Sequence, residues 1–258
     1  MKVTVCQIHP HADAITKQVQ ALKDHIHEQG TDFVLLPEMC FSPWLAADKE
    51  TDEGRWHEAC KNHLAFIEGM SDWGISAILG TRPIVLDSGE RRNQAYLWTA
   101  EMQCPEKVHD KYYLPNEEGY WEATWYDRGE KVFESAQWGE TRIGTQICTE
   151  MWYYEWARHF AREGVDLLCV PRATPHSSTD KWLAGGQAAA VCSGAYCLSS
   201  NLWYPPGEKE DCGGLAWIID PEGEVLATTH MDSPFATVEI DLNYARASKQ
   251  TYPRYVLE

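Results

Sequence analysis

Short apolar runs alternate along this chain with stretches in which apolar residues recur at helical spacing. The run 33–36 (FVLL) ends at Pro37, and 166–171 (DLLCVP) repeats this strand-then-proline form. A helical stripe precedes the first run, at Ile15, Val19, Leu22 and Ile26. A chain that alternates strands with helices covers its sheets with helical layers. The pattern therefore predicts a layered α/β fold, and it leaves open whether there is one sheet or two.

The chain shows no internal repeat, no linker rich in Ser, Gly or Pro and no low-complexity tract. We therefore expect a single domain over residues 1–258. Strands are predicted at 2–8, 33–36, 75–80, 142–148, 166–171 and 197–200, with strands and turns over 93–109 and a hairpin at 214–229. One helix is predicted from the stripe named above and ends at Gly30, and a second is predicted from a stripe at Trp56, Cys60, Leu64 and Ile67. Two more helices are predicted over 152–163 and 181–193.

Acidic residues outnumber basic ones by 39 to 22, so the formal net charge is −17. A surface of this sign is repelled by a phosphate backbone and by an anionic bilayer, so we expect neither nucleic acid nor membrane as a partner. No stretch approaches the roughly 18 consecutive apolar residues of a spanning helix. The opening MKVTVCQIHP lacks the long apolar core of a signal peptide.

Nine cysteines are scattered without a framework of short spacings, and several lie inside apolar runs. Free buried cysteines suit a reducing compartment, so a cytoplasmic location is expected. The chain contains neither a C-x-x-C pair nor an H-E-x-x-H motif. The histidine pairs lack the cysteine or carboxylate partners of a metal site, so surface histidines are the favoured interpretation and no metal is expected. These pairs are His9 with His11 and His25 with His27.

Two of the predicted strands end in side chains that can carry out chemistry. Glu38 directly follows an apolar strand, where a partly desolvated carboxylate suits a base; a solvated loop acid is the simpler alternative. Cys148 lies at a strand-to-helix turn, where backbone N–H groups favour the thiolate; a small buried core residue is its alternative. Lys111, embedded among aromatic residues, is either a surface cation or a fixed charge in a pocket.

Taken together, these segments resemble the nitrilase, or carbon–nitrogen hydrolase, superfamily. Three motifs occur in that family's order and at its spacing: 36–38 (LPE), Lys111 with 114–115 (LP), and 144–148 (GTQIC). Further agreement comes from Gln7, 155–158 (EWAR), 213–214 (GG) and 219–223 (IDPEG). The resemblance covers nearly the whole chain, and the ordered set outweighs the simpler alternative for each residue alone.

The resemblance implies a four-layer αββα sandwich and a Glu–Lys–Cys triad that needs no metal or organic cofactor. Carried to the matching positions, it makes Glu38 the general base, Lys111 the cationic stabiliser and Cys148 the nucleophile. These three residues are therefore the expected catalytic centre.

A second glutamate often completes the site of this family. It belongs to an E-x-x-x-aromatic-x-x-G stretch, which here runs from Glu122 through Tyr126 to Gly129. Glu117 and Glu118 compete for the same role. The sequence therefore offers three candidates and favours Glu122.

The residues that follow the nucleophile set further expectations. The backbone N–H of Thr149 is the natural second donor to an oxyanion. Family members that prefer nitriles usually carry Trp at this position, so Thr149 favours an amide. The family often has Asp where this chain has Glu150, and often has Pro where it has Tyr154. Glu150 keeps the charge, and neither departure touches the triad.

Candidate substrate contacts come from aromatic and polar residues near the motifs. Trp44 and Trp152 are expected to line a pocket, since ligand sites are mostly apolar and aromatic. Arg172 and Thr174 follow a strand that should end beside the cysteine. Arg172 either binds a substrate carboxylate or pairs with one of the many surface acids.

The sequence therefore predicts a cytoplasmic hydrolase of a small amide or N-carbamoyl compound that works through a thioester. A nitrilase and a catalytically silent scaffold member of the family are the alternatives. The resemblance also implies a homodimer packed through 151–160. One core-facing side of a helix cannot cover all the aromatics of that segment, which are Trp152, Tyr153, Tyr154, Trp156 and Phe160.

Overall fold

The computed structural model describes residues 1–256, apart from the side chain of Ala12. Its strands are β1 (Lys2–Ile8), β2 (Phe33–Leu35), β3 (Ala77–Val85), β4 (Arg91–Thr99), β5 (Pro105–Asp110), β6 (Ala136–Trp138), β7 (Thr141–Thr145), β8 (Leu167–Arg172), β9 (Tyr196–Leu202), β10 (Trp217–Ile219), β11 (Val225–Thr228) and β12 (Phe235–Glu239). Its helices are α1 (Ala12–Gln29), α2 (Glu53–Glu68), α3 (Glu122–Trp125), α4 (Tyr154–Glu163), α5 (Thr179–Ser193) and α6 (Leu242–Ser248).

The strands form two half-sheets joined along one seam. The order is β5-β4-β3-β2-β1-β9-β8-β7-β6, with β12 against β1 and the β10–β11 hairpin against β9. Strand β1 pairs with β9 only at Gln7 and Ile8, while its earlier residues pair with β2 and β12. In the first half-sheet, β2 runs parallel to both of its neighbours, β1 and β3. In the second, β8 runs parallel to both of its neighbours, β7 and β9. Parallel strands bring the residues after their carboxyl ends to a common edge.

The two half-sheets pack face to face, and helices cover both outer faces. Val5 and Leu35 of the first half contact a layer that includes Leu198 of the second. Helices α1 and α2 bury residues such as Trp56 against the first half, and α4 and α5 bury residues such as Phe160 against the second. This confirms the predicted four-layer αββα sandwich.

Close packing of α4 explains one glycine of the nucleophile motif. A Cβ at Gly144 would lie 2.9 Å from the Phe160 ring, which is closer than carbon atoms approach in folded proteins. Glycine at this position lets α4 pack directly on β7, so the helix covers the strand that leads to Cys148.

The predicted stripe of α2 is partly wrong. Its buried residues are Trp56, Ala59, His63 and Ile67. Leu64 is 51% exposed, because the buried face runs through His63 instead. His63 can occupy the core since both ring nitrogens have partners: Nδ1 bonds to the Ala59 carbonyl at 2.8 Å, and Nε2 accepts from the Phe41 amide at 3.3 Å.

Further differences from the predicted elements are local. The strand predicted to reach Cys148 ends at Thr145, and a short 3₁₀ turn begins at Cys148. Strands β6 and β12 and helices α3 and α6 were not predicted. Strand β12 is half-buried along its length, so it shows no alternation of apolar and polar residues.

No helix among residues 1–256 has both the length and the apolar character needed to cross a membrane.

The aromatic residues of 151–160 are largely covered within the chain. Phe160 is fully buried, and the Trp156 ring stacks on Phe133 with centroids 4.1 Å apart. Tyr153 stacks on Tyr113 at 3.5 Å and is 36% exposed. Their number therefore gives no argument for a second copy, and the homodimer stays a prediction.

Candidate active site

Three buried side chains follow three different strands. Glu38 lies just beyond β2, Cys148 lies just beyond β7, and Lys111 follows β5 directly. Strands β2 and β7 belong to different half-sheets, so the sandwich brings the ends of both halves to one place. The structure therefore gathers residues that are far apart in the sequence.

Lys111 joins two carboxylates in the protein interior. Its Nζ lies 2.7 Å from Glu38 Oε1 and 2.6 Å from Glu122 Oε2, and all three side chains are fully buried. Burial lowers the pKa of Lys111, but the charges of Glu122 and Glu38 outweigh burial and raise that pKa above its ordinary value. Lys111 is therefore a fixed ammonium. The competing acids Glu117 and Glu118 are exposed, so of the three candidates it is Glu122 that lies buried against Lys111.

Each of the two carboxylates keeps one oxygen free. Asn93 Nδ2 donates to Glu38 Oε1 at 2.7 Å, and the Tyr126 hydroxyl donates to Glu122 Oε2. Glu38 Oε2 and Glu122 Oε1 are buried without a hydrogen-bond partner among residues 1–256. Buried acceptors are nearly always satisfied, so two such oxygens beside one lysine are available to an incoming group.

Burial also changes the pKa of Glu122. Loss of solvent raises it, the charge of Lys111 opposes the rise and the charge of Glu38 adds to it, so that the pKa of Glu122 reaches about 7. Glu122 therefore exchanges its proton in the neutral range, unlike a solvated glutamate.

Cys148 occupies a strained turn at the site. Its φ is 51°, a left-handed value that non-glycine residues seldom adopt, and its side chain is buried. Its Sγ lies 3.8 Å from the Ala173 carbonyl oxygen. Burial raises the pKa of the thiol, Glu38 raises it further, and Lys111 opposes them without cancelling the rise. The thiolate expected from the sequence is therefore wrong for the free protein: the thiol is protonated and needs a base.

Glu150 fixes the turn that carries the nucleophile. Its carboxylate accepts from the Ile147 amide at 2.7 Å and from the Tyr112 amide at 2.7 Å. It also bonds to His109 Nε2 at 2.9 Å, and both side chains are buried. Ile147 immediately precedes Cys148, and Tyr112 immediately follows the buried lysine. Glu150 therefore links the two chain segments that present the thiol and the ammonium.

A cavity of about 520 Å³ opens onto Cys148. This volume suits a small molecule. Its lining comprises Tyr113, Leu114, Pro115, Asn116, Glu117, Tyr120, Glu122, Arg128, Cys148, Thr149, Trp152, Tyr153, Ala173, Thr174, Pro175, Ser178, Lys181 and Trp182. Thr149, Trp152 and Thr174, which the sequence proposed for the site, all lie in this lining.

Trp44 is not in the lining. It is 1% exposed, and its indole Nε1 donates to the Gly119 carbonyl at 3.0 Å. Its backbone amide donates to the Tyr204 hydroxyl at 2.8 Å. The sequence placed Trp44 among the substrate contacts, but the structure places it in the core behind the site, where a large ring gains most from burial.

Arg172 is close to the site but is fully buried and outside the cavity lining, and three of its N–H groups bond to protein atoms. Its Nε donates to Ser199 Oγ at 2.7 Å, its Nη1 to Thr174 Oγ1 at 2.7 Å and its Nη2 to the Leu215 carbonyl at 2.8 Å. The guanidinium also stacks 3.9 Å from the Trp217 ring. Neither sequence expectation holds, because the group is fully buried and braces the β8–β9 edge.

The sequence did not identify Asn93, Arg128 or Lys181. Asn93 lies in β4 on the face of Ala95 and Leu97, so a polar side chain at an apolar position was the available signal. Arg128 lies in a loop and Lys181 lies in the first turn of α5. A cation at either kind of position does not by itself indicate a binding site.

Metal-ligating side chains meet at a different place. Ligand atoms of His9, His11 and Glu208 all lie within 4.8 Å of one another. His9 Nε2 is 3.6 Å from Glu208 Oε2. These three residues could hold a metal ion, but they are outside the cavity lining.

A match to the family model described as carbon-nitrogen hydrolase covers residues 2–250. The chain therefore belongs to the carbon–nitrogen hydrolase family. This agrees with the resemblance found in the sequence.

Curated relatives of the chain include amidases. It is 28% identical over 179 residues to the deaminated glutathione amidase of Synechocystis sp., a match that covers 66% of this chain and 65% of that protein. It is 24% identical over 160 residues to the N-carbamoylputrescine amidase of Arabidopsis thaliana, covering 56% of this chain and 54% of that protein. The chain thus matches less than two thirds of the length of these relatives.

Solved structures share the fold at lower identity. A carbon-nitrogen hydrolase from Helicobacter pylori G27 superimposes with a TM-score of 0.87 at 17% identity, covering 99% of this chain and 94% of that one. An amidase from Nesterenkonia sp. superimposes with a TM-score of 0.76 at 20% identity, covering 95% and 92%. Both show that the four-layer architecture is common to these proteins.

Proposed function

We propose that this chain hydrolyses the non-peptide C–N bond of a small amide or N-carbamoyl compound through a thioester on Cys148. The observation that carries the proposal is the position of Lys111 between two buried carboxylates, with the Cys148 thiol at the floor of the adjoining cavity. Three charged groups hidden from solvent cost folding free energy, so they indicate chemistry rather than stability.

The first step transfers the thiol proton. Because burial keeps Cys148 protonated, the sulfur needs a base as it attacks the carbonyl carbon. Glu38 Oε2, which has no protein partner among residues 1–256, accepts that proton. The S–C bond forms while the carbonyl π electrons move to oxygen.

The oxyanion that results requires donors already in place. Lys111 supplies a fixed positive charge, and the backbone N–H of Thr149 supplies a second donor. The left-handed turn at Cys148 sets the direction of the following amide. Two donors of this kind lower the barrier by several kcal/mol, since removal of one costs about 2.7–4 kcal/mol in enzymes of similar chemistry.

Collapse of the intermediate releases the amine. The C–N bond breaks as Glu38 returns its proton to the leaving nitrogen, and a thioester remains on Cys148. Water then attacks the thioester carbon and gives a proton to Glu38. The C–S bond breaks as Glu38 returns that proton to sulfur, which releases the carboxylic acid and restores the thiol. Glu122 keeps Lys111 charged throughout, and its free Oε1 can orient the substrate N–H or the water.

The relatives support this chemistry. Several are named as amidases, among them deaminated glutathione amidase, N-carbamoylputrescine amidase and omega-amidase, and another is named nitrilase homolog 2. One structure of the Nesterenkonia amidase holds the acetamide moiety of fluoroacetamide on its active-site cysteine. That adduct retains the acetamide group on sulfur, so it shows that the cysteine of that protein reacts as a nucleophile, although the adduct itself is not a thioester.

Ammonia release from a panel of amides, N-carbamoyl amino acids and nitriles tests the proposal. We expect Cys148→Ala to abolish release with an unchanged circular dichroism spectrum, and Cys148→Ser to be nearly inactive because a hydroxyl is far harder to deprotonate. Cys104→Ala, at an exposed cysteine, is the matched control and should retain full activity. Retention of more than a small fraction of the rate in Cys148→Ala would overturn the proposed mechanism.

A further inference from the structure

Two cations line the cavity that contains the nucleophile. Arg128 precedes the glycine that ends the Glu122 motif, and Lys181 lies in the first turn of α5. Both side chains are exposed and border the space above Cys148. Since Arg172 is fully buried and is not part of the lining, Arg128 and Lys181 are the arginine and lysine side chains that line this cavity.

Aromatic rings support both cations. The Arg128 guanidinium carbon lies 5.7 Å from the centre of the Tyr112 ring, and Lys181 Nζ lies 5.5 Å from the centre of the Trp152 ring. A cation held over a ring face keeps its charge and loses freedom, so less ordering remains to be done when an anion binds. Neither cation has an ion pair with a carboxylate of residues 1–256.

The acids in the cavity do not neutralise these cations. Glu122 is already paired with Lys111. Glu117, an exposed residue of the lining, is the other carboxylate there. The cavity wall therefore carries two cations against one solvated acid, on a chain whose net charge is −17. This local excess of positive charge is the reverse of the surface as a whole.

We propose that the substrate carries a carboxylate at the end remote from the scissile C–N bond, and that Arg128 and Lys181 bind it. Arg128 offers parallel N–H donors that match a carboxylate, and Lys181 adds a point charge. This inference rests on the proposed function and specifies the substrate class of the same site. It also assigns to two other residues the carboxylate-binding role that the sequence gave to Arg172.

Three amides with the same chain length test the charge preference. They are succinamic acid, which is anionic, butanamide, which is neutral, and β-alaninamide, which is cationic. We expect kcat/KM to be at least about tenfold higher for succinamic acid than for butanamide, or about 1.4 kcal/mol, and lowest for β-alaninamide. Equal kcat/KM for the three amides would overturn the inference while leaving the proposed function intact.

Charge-removing variants connect the preference to its residues. Lys181→Gln and Arg128→Gln should each reduce the ratio of kcat/KM between succinamic acid and butanamide by about tenfold, mainly through a higher KM for the acid. Lys61→Gln makes the same change of charge on an exposed face of α2 and should leave the ratio unchanged. If the ratio of kcat/KM between succinamic acid and butanamide is unchanged in the Arg128→Gln/Lys181→Gln double variant, the assignment is overturned.

Binding separates this inference from the hydrolysis itself. Calorimetry with the Cys148→Ala protein measures the affinity for succinamic acid, butanamide and β-alaninamide without turnover. We expect succinamic acid to bind most tightly and to lose that advantage when Lys181→Gln is added. If no amide is hydrolysed by the wild type but this preference holds, the proposed function fails and the anion site stands. Absence of the preference overturns the site.

Discussion

Lys111 Nζ lies 2.7 Å from Glu38 Oε1, and neither side chain has any contact with solvent. A buried ion pair of this kind is a weak source of stability, because the cost of removing two charges from water consumes the attraction between them. Here Glu122 adds a second buried carboxylate to the same lysine. The arrangement therefore links the stability of the fold to the charge state of its candidate active site.

Removal of the Lys111 charge should lower the free energy of unfolding by more than the loss of side-chain packing alone would. Lys111→Met leaves Glu38 and Glu122 buried without a counter-charge, and we expect the free energy of unfolding to fall by about 3–5 kcal/mol at neutral pH. The loss should shrink as the pH falls, since burial raises the pKa of Glu122 to about 7 and its protonation removes part of the uncompensated charge. Urea unfolding at several pH values measures both effects.

Lys107→Met is the matched control for that experiment. Lys107 lies on β5, the strand that Lys111 follows, and is 59% exposed; its partner Asp110 also accepts a hydrogen bond from Gln94 Nε2, so it keeps a partner when Lys107 is removed. Its removal should change the free energy of unfolding by no more than about 0.5 kcal/mol. Equal losses in the two lysine variants would contradict the role assigned to the buried charges.

Glu150 should act on the rate through position alone. In the wild type, the two carboxylate oxygens of Glu150 accept hydrogen bonds from three donors. Glu150→Gln leaves a single amide oxygen as acceptor, so the turn before Cys148 loses part of its hydrogen bonding. We expect kcat to fall at least about tenfold with little change in KM. Glu150→Asp, which keeps the charge, should recover part of kcat, and Glu155→Gln on the exposed side of α4 should have no effect. A change confined to KM would argue for contact with substrate instead.

The residue after the nucleophile should select amides over nitriles. Thr149 is small and polar and lies in the cavity lining, so the space beside Cys148 suits a planar amide. We predict that each amide exceeds its matching nitrile in kcat/KM by at least about tenfold, or about 1.4 kcal/mol. Paired assays that score acid and ammonia decide the question, and equal or faster nitrile turnover would make the chain a nitrilase.

Stability should fall at high pH because of the buried thiols. Burial raises the pKa of Cys6 and of Cys197 from 9.0 to about 12, and likewise raises the pKa of Cys40, Cys169 and Cys212. Above pH 9 the unfolded chain loses thiol protons that the folded chain retains. Stability present below pH 9 is therefore lost as the pH rises toward 12, by up to about 1.4 kcal/mol per pH unit for each thiol.

Urea unfolding under reducing conditions between about pH 8 and about pH 11, which spans the ordinary thiol pKa of 9.0, measures this slope. Cys6→Ala should make the slope shallower, whereas Cys104→Ala, at an exposed cysteine, should leave it unchanged. A free energy of unfolding that is constant or rises over this range would contradict the buried and neutral state of these thiols.

The sequence located the reactive residues better than their surroundings. Glu38, Lys111 and Cys148 each follow a strand, and strand ends are visible in the apolar pattern. The motif favoured Glu122 and left Glu117 and Glu118 as alternatives, and only the structure shows that Glu122 is buried beside Lys111 while the other two are exposed. Local sequence carries no information on such burial.

Residues that depend on partners from distant segments were the ones misassigned. Arg172 is held by Ser199 and by the Leu215 carbonyl, neither of which is near it in sequence. The thiolate state of Cys148 was expected from the local turn alone, but burial and the charge of Glu38 reverse it. Charge states and hydrogen-bond partners therefore required the packed sandwich, whereas the order of elements did not.

The central claim is that Cys148 forms the thioester, and rapid acid quench during turnover of an amide tests it most directly. Peptide mapping by mass spectrometry then locates the acyl group. We predict an acyl adduct on the peptide that contains Cys148, absent from the Cys148→Ala protein and from samples without amide. Full hydrolytic activity with the acyl group on another of the nine cysteines, or with Cys148 never acylated, would contradict the account.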